Sequence, residues 1–446
     1  MTAEITVMNK MAIAMAADSA VTIHRGRKIL NSANKLFMLS KYHPVGIMIY
    51  GSAEVMGYPW ETLIKTYRRE LGERSFPTIS EFGSHFIEWI KNKLIQAPHI
   101  NQIKYCEQMI YLAYAEVYDA VREKAFSLDS QADDSEFEKS FTEALDDMHR
   151  LWKQIPTFND VPKNTLSVIK KNCSQITAEV IKSFFGEFVV GAEHLKKLSE
   201  IAAMCFIKER FSPAYSGIVI AGFGDEQDFP AIVDFKIDGI INKWLKYSKE
   251  NDTAIDCNNS ACIIPFAQGD VVSTFVEGIE PQLESVIQDS LKELLAEKAE
   301  VIMNELGTGV VQLNEGDLSL IQTIINSCSE QLYEEFATRS EEHKRAMHVI
   351  PVVQAIDVLP IDELASAAEA LVNLTSFKRR VSMDQETVGG PIDVAVISKG
   401  DGFIWIKRKH YFDADRNHHY LNNRYQGSYQ MKGGDRDVEA EGRSIL

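Results

Sequence analysis

The chain has few cysteines and no recognisable metal motif. Its 446 residues include six cysteines, scattered far apart, which is typical of reduced thiols in a cytoplasmic setting rather than of a disulfide framework. Cys257 and Cys262 have no second Cys or His pair at zinc spacing nearby, and none of the eleven histidines falls in a motif such as HExxH. The sequence therefore predicts buried or loop thiols and no metal site.

Basic residues and long apolar runs are also scarce. The 47 Lys and Arg residues are outnumbered by 64 Asp and Glu residues, and the net charge of −17 opposes nonspecific binding to nucleic acid or anionic membranes. No apolar run approaches the roughly 20 residues that cross a bilayer, and the start Met1–Glu4 lacks the regions of a secretory signal. With 45% hydrophobic residues, we expect a large soluble cytoplasmic protein of more than one unit.

The most informative residue is Thr2. A small residue after the initiator Met is one that Met aminopeptidases accept, so the mature chain can begin at Thr2. A free N-terminal Thr carries a nucleophile and a base on one residue, because its hydroxyl attacks a carbonyl while its α-amine accepts the proton. The ordinary pKa of that amine, about 7.7–8.0, suits this role near neutral pH. The alternative is an ordinary chain start, which most threonines at this position are.

The residues that follow Thr2 are predicted to bring three more groups to the chain start. A strand, a turn at Asn9–Lys10 and a returning apolar strand end at Asp18, sixteen positions after Thr2. Lys35 opens a third apolar segment, and a fourth ends in Gly51. A hydroxyl, an acid, a lysine and a strand-end glycine are the parts that deprotonate a nucleophile and stabilise an oxyanion.

Each of these three groups also has an ordinary interpretation. Asp18 alone caps a turn, Lys35 alone is a solvated surface charge, and Gly51 alone ends a strand. Burial of Lys35 beside Asp18 would favour the functional interpretation, because an ion pair holds the lysine charged and lowers the pKa of a neighbouring amine or hydroxyl.

These residues resemble the N-terminal half of a proteasome β-type subunit, including its bacterial relatives. That family has an N-terminal Thr, the pattern AADS with its Asp sixteen positions later, a Lys that opens the next strand pair, and an apolar strand that ends in Gly-x-Ala. Thr2, Asp18, Lys35 and Gly51 match these positions, with Lys35 one residue later than usual. The resemblance implies that Thr2 attacks, that Lys35 and Asp18 tune the pKa values, and that the Gly51 N–H holds the oxyanion.

The resemblance also implies a substrate-binding strand and a specificity pocket. Thr22 matches the family residue whose backbone pairs with substrate. Val21, Ile49 and Ala53 occupy positions that line the family's pocket, and their side chains favour an apolar residue before the cut.

The second half of the chain matches the family more faintly. Where the family carries Gly-Ser-Gly-Ser with an accessory Ser, this chain has the segment Ala267–Asp270, which contains no Ser. Gly389–Gly390 resembles the family's Ser-Gly-Gly, with Val388 in the Ser position. Asp384 and Thr387 keep the family's three-residue spacing with one residue inserted, and are candidate supporting residues.

The order of the predicted elements fits two antiparallel sheets between helical layers. The resemblance implies an α+β fold, a four-layer αββα sandwich of the N-terminal-nucleophile (Ntn) hydrolase type with large helical insertions. We expect a loop over 130–136 and a turn at Gly239. The predicted segments are 1–56 and 213–280 for the first and second parts of the sandwich, 57–212 and 281–347 for helices, 348–411 for a C-terminal helix and strands, and 412–446 for a polar, disordered tail.

The predicted function is that of a threonine-type peptidase or amidohydrolase, with no metal or organic cofactor. Its expected partners are a peptide or protein substrate, further copies of the chain in a ring or spiral, and an unfoldase or regulatory protein. The alternative is a catalytically inactive structural or regulatory assembly subunit, which the missing accessory Ser favours and a retained Met1 would support. A third hypothesis is an amidohydrolase that acts on non-peptide amides, which a panel of peptide and small-amide substrates would separate from the first.

Overall fold

The computed structural model describes residues 3–23, 28–126, 134–185, 191–308, 315–382, 388–410 and 416. Contacts divide the chain into two units, Met1–Lys407 and Arg408–Leu446. The predicted tail over 412–446 lies outside the described residues except for Arg416. The other segment boundaries drawn from the sequence stay a prediction.

The described strands pair into two large antiparallel sheets. The first sheet has the order β12-β1-β2-β13-β14 and the second the order β11-β10-β9-β6-β5, while β3 pairs with β4 and β7 with β8. The strands are β1 Glu4–Asn9, β2 Ala12–Ala17, β3 Val21–Ile23, β4 Lys28–Leu30, β5 Leu36–Met38, β6 Val45–Gly51, β7 Glu54–Val55, β8 Tyr58–Pro59, β9 Ser216–Gly222, β10 Ala231–Ile241, β11 Trp244–Ala254, β12 Ala261–Ala267, β13 Asp393–Ser398 and β14 Gly402–Lys407.

The described helices fall into two groups, one between β8 and β9 and one between β12 and β13. The first group is α1 Trp60–Leu71, α2 Ile79–Ile95, α3 His99–Phe126, α4 Asp134–Gln154, α5 Thr165–Asn172, α6 Ser174–Phe185 and α7 Ala192–Ile207. The second group is α8 Asp270–Glu277, α9 Pro281–Thr308, α10 Glu315–Lys344, the π-helical turn Arg345–Val349, α11 Ile350–Asp357 and α12 Ile361–Val381. None of the helices within the described ranges is both long and apolar enough to span a membrane.

Three apolar clusters fix the order of the layers. One lies between the second sheet and the first helix group, and a second lies between the first sheet and helices that include α12. The third is lined by residues from both sheets, such as Met15, Met48 and Val219, and we call it the inter-sheet layer. The layers therefore follow the order helices, sheet, sheet, helices, which confirms the predicted mixed fold with antiparallel sheets.

Strand alternation decides which side chains enter the inter-sheet layer. In β1, the Cα partners of Glu4, Thr6 and Met8 on β2 are Ala17, Met15 and Ile13. Directly opposite residues in an antiparallel pair share a face, and these partners belong to the inter-sheet layer. Glu4 and Thr6 therefore point between the sheets, although both are polar.

Two local predictions were wrong. The expected turn at Gly239 lies three residues later, because β10 continues to Ile241 and the positive φ angles of Asn242 (49°) and Lys243 (60°) form the hairpin turn. Gly239 lies inside the strand, where an added Cβ would come within 2.6 Å of the Tyr105 ring. The expected loop over 130–136 is helical from Asp134 onward, and its other residues lie outside the described ranges.

Candidate functional site

The β1–β2 hairpin returns the chain to its start, as the sequence predicts. Asn9 fixes the turn, because its Oδ1 atom accepts hydrogen bonds from the backbone N–H groups of Met11 (2.9 Å) and Ala12 (3.3 Å). At the other end of the hairpin, the Ala3 N–H donates to Asp18 Oδ1 (3.0 Å), and the Asp18 N–H donates to the Ala3 carbonyl (3.1 Å). The residue after Thr2 is thus bound to Asp18 twice.

Further backbone donors hold the Asp18 carboxylate in place. Its Oδ2 atom accepts hydrogen bonds from the N–H groups of Ala20 (3.2 Å) and Gly389 (2.9 Å). The Ser19 N–H in turn donates to the Gly389 carbonyl (3.2 Å). The Gly389–Gly390 segment noted in the sequence therefore packs beside Asp18 and helps to hold its carboxylate in place.

Lys35 reaches the same carboxylate from the second sheet. It lies just before β5, where its carbonyl accepts a hydrogen bond from the Ile49 N–H (2.9 Å). Its Nζ atom donates to Asp18 Oδ1 and lies 3.2 Å from Glu4 Oε1. The side chains of Lys35, Asp18 and Glu4 are only 3%, 1% and 0% exposed. The ordinary interpretation of Lys35 as a solvated surface charge is therefore wrong, because Lys35 forms a buried ion cluster.

Glu4 is a site residue that the sequence analysis missed. The alternation of β1 could have predicted its burial, because every second side chain of this strand points between the sheets. Asp393 was also missed: it is buried, and its Cα partner on β2 is Ala17, the residue that also pairs with Glu4. A charged residue in a central strand that is buried on both faces indicates a specific partner across the layer.

Gly51 has a backbone conformation that requires glycine. Its φ angle is +73°, and an added Cβ would lie 2.5 Å from the Tyr215 carbonyl oxygen. The next residue, Ser52, donates its N–H to that same carbonyl (2.9 Å), and the Ser216 hydroxyl donates to the Ser52 carbonyl (3.2 Å). The exposed end of β6 is thus fixed against the start of β9.

The other predicted residues are only partly brought together. Thr22 lies in β3, which pairs with β4, and Val21 on the same strand is half-buried. Ile49 is buried among side chains between the second sheet and the helices, whereas Ala53 is exposed. Thr2, Asp384 and Thr387 lie outside the described residues.

The segment that lacks the accessory Ser is bound to the end of α12. Arg379 donates from Nε to Gln268 Oε1 (2.9 Å) and from Nη2 to Asp270 Oδ1 (2.7 Å). Ala267, the residue before Gln268, pairs with Glu4. The beginning of this segment is therefore the strand neighbour of Glu4 in the first sheet.

A second polar pair, formed by Tyr50 and Asp234, lies in the inter-sheet layer. The Tyr50 hydroxyl is 3.0 Å and 3.1 Å from the two carboxylate oxygens of Asp234, to which it donates. Burial raises the pKa of Asp234 to about 6, and the negative charge of Glu250 adds to this effect while the Tyr50 hydrogen bond opposes it. Among the described residues, no group of three or more His, Cys, Asp or Glu residues has a geometry that could hold a metal ion.

Comparisons with known proteins do not assign the chain to a family. No family model matches it, and no curated protein matches it. Similar solved structures include Anbu (ancestral beta-subunit) from Yersinia bercovieri, with 8% identity, a TM-score of 0.27, and coverage of 98% of this chain and 100% of that one. A helical assembly of the Anbu complex from Pseudomonas aeruginosa has 7% identity, a TM-score of 0.27, and coverage of 97% and 98%. Anbu from Hyphomicrobium sp. strain MC1 has 8% identity, a TM-score of 0.26, and coverage of 98% and 100%.

These values correct the identification suggested by the sequence. TM-scores of 0.26–0.27 at 7–8% identity indicate a distant structural relationship and no more. The assignment of the chain to the proteasome β-type subunits is therefore wrong as a family assignment. Its specific motifs covered about the first fifty of 446 residues, and the rest of the chain does not carry the match.

Proposed function

We propose that the chain is an amide hydrolase whose nucleophile is Thr2 once the α-amine of that residue is exposed. The observation that supports it best is the buried cluster of Lys35, Asp18 and Glu4 at the beginning of β1. Burying charged groups opposes folding unless they are paired and hydrogen-bonded. A hairpin end needs no such cluster to form, so its presence beside the residue that follows Thr2 favours a chemical role.

The alternation of β1 supports the orientation that this chemistry needs. Glu4 and Thr6 face the inter-sheet layer because their partners on β2 do. Side chains two residues apart on a strand share a face. The proposed reaction requires the Thr2 hydroxyl to come within reach of the Lys35 ammonium.

The proposed reaction proceeds in two steps. The Thr2 Oγ atom attacks the amide carbonyl, its proton passes to the Thr2 α-amine, and the C–N bond breaks as that proton reaches the leaving nitrogen. A water molecule then attacks the resulting ester, and its proton returns to Thr2 Oγ as the acid is released. Lys35 stabilises negative charge on Oγ, and Asp18 holds Lys35 in place. The net reaction is amide plus water to acid plus amine.

Gly51 and the β3 strand complete the proposed site. We assign the oxyanion to the Gly51 N–H, because the chain there is fixed by Tyr215 and Ser216 and admits no Cβ. The backbone of Thr22 on β3 would pair with an extended peptide. Of the proposed pocket residues, Val21 and Ala53 keep accessible surface, whereas Ile49 lies in the core. Asp384 and Thr387 remain proposed supporting residues.

The decisive experiment combines intact mass with a peptide β-lactone, whose ring opens to form an ester with a reactive hydroxyl. We expect a mature chain that begins at Thr2 and gains one adduct mapped to Thr2. Thr2→Ala should abolish the adduct with folding intact. Thr6→Ala is the matched control, because Thr6 is a buried threonine of β1, and it should keep the adduct. An unchanged adduct yield in Thr2→Ala rules the proposal out.

The same experiment separates the competing hypotheses. A blocked Thr2 amine with no adduct would favour the inactive structural or regulatory subunit, since a blocked amine is not a base. If the adduct forms, hydrolysis of peptides compared with small amides distinguishes a peptidase from an amidohydrolase of other substrates. Self-association in a ring or spiral, an unfoldase partner and a protein substrate stay predictions.

A further inference from the structure

We propose that Glu4 is an ionised positioning residue that shares the Lys35 ammonium with Asp18. The proposed nucleophile would then face a lysine held by two carboxylates rather than a single acid–lysine pair. This inference rests on the proposed function, because it assigns a further residue to the same site. It adds a group that neither the sequence motifs nor the expected roles include.

The position of Glu4 is fixed by the first sheet. Its strand is central, since the Cα of Glu4 pairs with Ala17 on one side and with Ala267 on the other. Its side chain has no exposed surface, and its Oε1 atom lies 3.2 Å from Lys35 Nζ. Because Lys35 comes from the edge of the second sheet, this contact joins the two sheets. Burial weakens the screening of such a pair, so its charge acts strongly on its neighbours.

Glu4 and Asp18 have different partners. The Asp18 carboxylate also accepts backbone hydrogen bonds from Ala3, Ala20 and Gly389, which fix its place. The structure gives Glu4 a direct contact with the ammonium, so its charge acts on Lys35 itself. A lysine ammonium has three N–H donors. One of them is donated to Asp18, and the ammonium also lies 3.2 Å from Glu4 Oε1.

Other titratable groups face the same space. Asp393 lies one strand beyond Ala17 in the first sheet and is buried. Tyr215 lies at the edge of the inter-sheet layer. Burial raises its pKa, the Lys236 charge opposes this, and the negative charges of Asp234, Glu250 and Glu4 raise it further. These groups remain in every Glu4 variant, so a change between variants reports on Glu4.

Removal of the Glu4 charge has a defined direction of effect. A nearby negative charge favours the protonated form of an amine. Without it, the amine that acts as the base at Thr2 should lose its proton at lower pH. The acid limb of the pH profile for reaction at Thr2 should therefore move down by about one pH unit. A merely structural role would lower the rate at every pH and leave the midpoint of the profile unchanged.

The test is the pH dependence of β-lactone adduct formation at Thr2 in the full chain. Glu4→Gln and Glu4→Thr remove the charge with different shapes, and both should move the midpoint down by about one unit. Glu4→Asp keeps the charge and should stay within about 0.3 unit of the unmodified chain. Asp234→Asn is the matched control, because it neutralises a buried acid in the same layer that does not pair with Lys35. Circular dichroism checks that the variants fold. The test needs only one of Glu4→Gln and Glu4→Thr to be folded.

Each outcome decides one question. If the unmodified chain forms no adduct at Thr2, the proposed function fails and this inference falls with it. If it reacts while the neutral variants keep its midpoint, Glu4 is uncharged or only structural, and this inference alone is overturned. The same holds if Asp234→Asn moves the midpoint as far as Glu4→Gln does.

Discussion

Two buried lysines bridge parts of this molecule, and their partners differ in charge. Lys35 contacts the carboxylates of Asp18 and Glu4. Lys246 on β11 is equally buried, but it contacts one carboxylate, that of Asp238 (3.0 Å), and the backbone carbonyls of Cys205 (2.9 Å) and Arg210 (2.5 Å). Within the part of the chain that the structure describes, the contacts of the Lys35 ammonium are with carboxylates, whereas two of the three polar contacts of the Lys246 ammonium are with backbone carbonyls.

The surroundings of Asp238 show what the second lysine does. Asp238 accepts hydrogen bonds from the Ser212 N–H (3.1 Å) and the Ser212 hydroxyl (2.7 Å). Lys246 and Asp238 therefore bind the chain that leaves α7 to strands β10 and β11. A lysine whose acceptors are carbonyls satisfies backbone groups that water cannot reach. Among the described residues the partners of the Lys35 ammonium are carboxylates, so the charge of Lys35 is what distinguishes it from Lys246.

The strongest test exchanges the two lysines for methionine in turn. Lys35→Met should slow adduct formation at Thr2 by about a thousandfold, because the charge that stabilises Oγ is lost. Lys246→Met should leave the rate of the folded protein within about twofold. Rates are measured at pH 7 by intact mass. Equal losses in both variants would mean that buried lysines matter here for folding alone.

Stability tests the structural role of Lys246. Lys246→Met leaves Asp238 and two carbonyls buried without their ammonium, and breaking such a pair costs about 3–5 kcal/mol in free energy of unfolding. Lys249→Met on the same strand is the control. Lys249 pairs with Asp252 at the surface, where such pairs contribute about 0–1 kcal/mol. Urea unfolding at pH 7 measures both, and similar losses would contradict the structural role of Lys246.

Asp234 extends the comparison to a buried acid whose partners are the Tyr50 hydroxyl and the Asn251 amide. Burial raises its pKa to about 6, with Glu250 adding to the effect, whereas an unfolded Asp has a pKa of about 3.9. The folded state then binds more protons than the unfolded state between these values, so the free energy of unfolding falls as pH rises from about 4 to about 6. A shift of about 2 units corresponds to a loss of up to about 3 kcal/mol.

Asp234→Asn checks this sign, because it removes the titrating group. The free energy of unfolding of the variant, relative to the unmodified chain, should rise by up to about 3 kcal/mol between pH 4 and pH 7. Urea unfolding at four pH values across this window measures the difference. Parallel curves for the two proteins would show that Asp234 does not titrate in this range.

The parts of the site that could be predicted depend on local sequence. The β1–β2 hairpin follows from turn residues at Asn9–Lys10 and from apolar alternation, and its length brings Asp18 back to Ala3. The position of Lys35 at the start of an apolar strand likewise needs no knowledge of the rest of the chain. The sheets were predicted as antiparallel because strands and helices alternate in blocks along the sequence.

The parts that could not be predicted depend on how distant elements pack. The contact between Glu4 and Lys35 requires two sheets to face each other, and the pair of Lys246 and Asp238 requires a particular register between β10 and β11. Periodicity describes one element at a time, so it does not choose the residue across a layer. The turn at Asn242–Lys243 was missed because a glycine nearby is the stronger local signal.

The smallest expected effect tests whether Lys246 and Asp238 act as a structural unit. Ser212→Ala removes the hydroxyl donor at 2.7 Å from Asp238 but keeps the backbone N–H donor. Hydrogen bonds to charged groups contribute about 1.5–3 kcal/mol, and the remaining donors limit the expected loss to about 1–2 kcal/mol. Ser84→Ala on α2, where the exposed hydroxyl donates to a carbonyl within the helix, is the control and should change stability by less than about 0.5 kcal/mol.

A double variant tests whether Ser212 and Lys246 are coupled. In the Lys246→Met background, the loss of stability caused by Ser212→Ala should change by about 0.5 kcal/mol or more, because groups in one hydrogen-bond network are coupled. An additive double variant would separate Ser212 from that network.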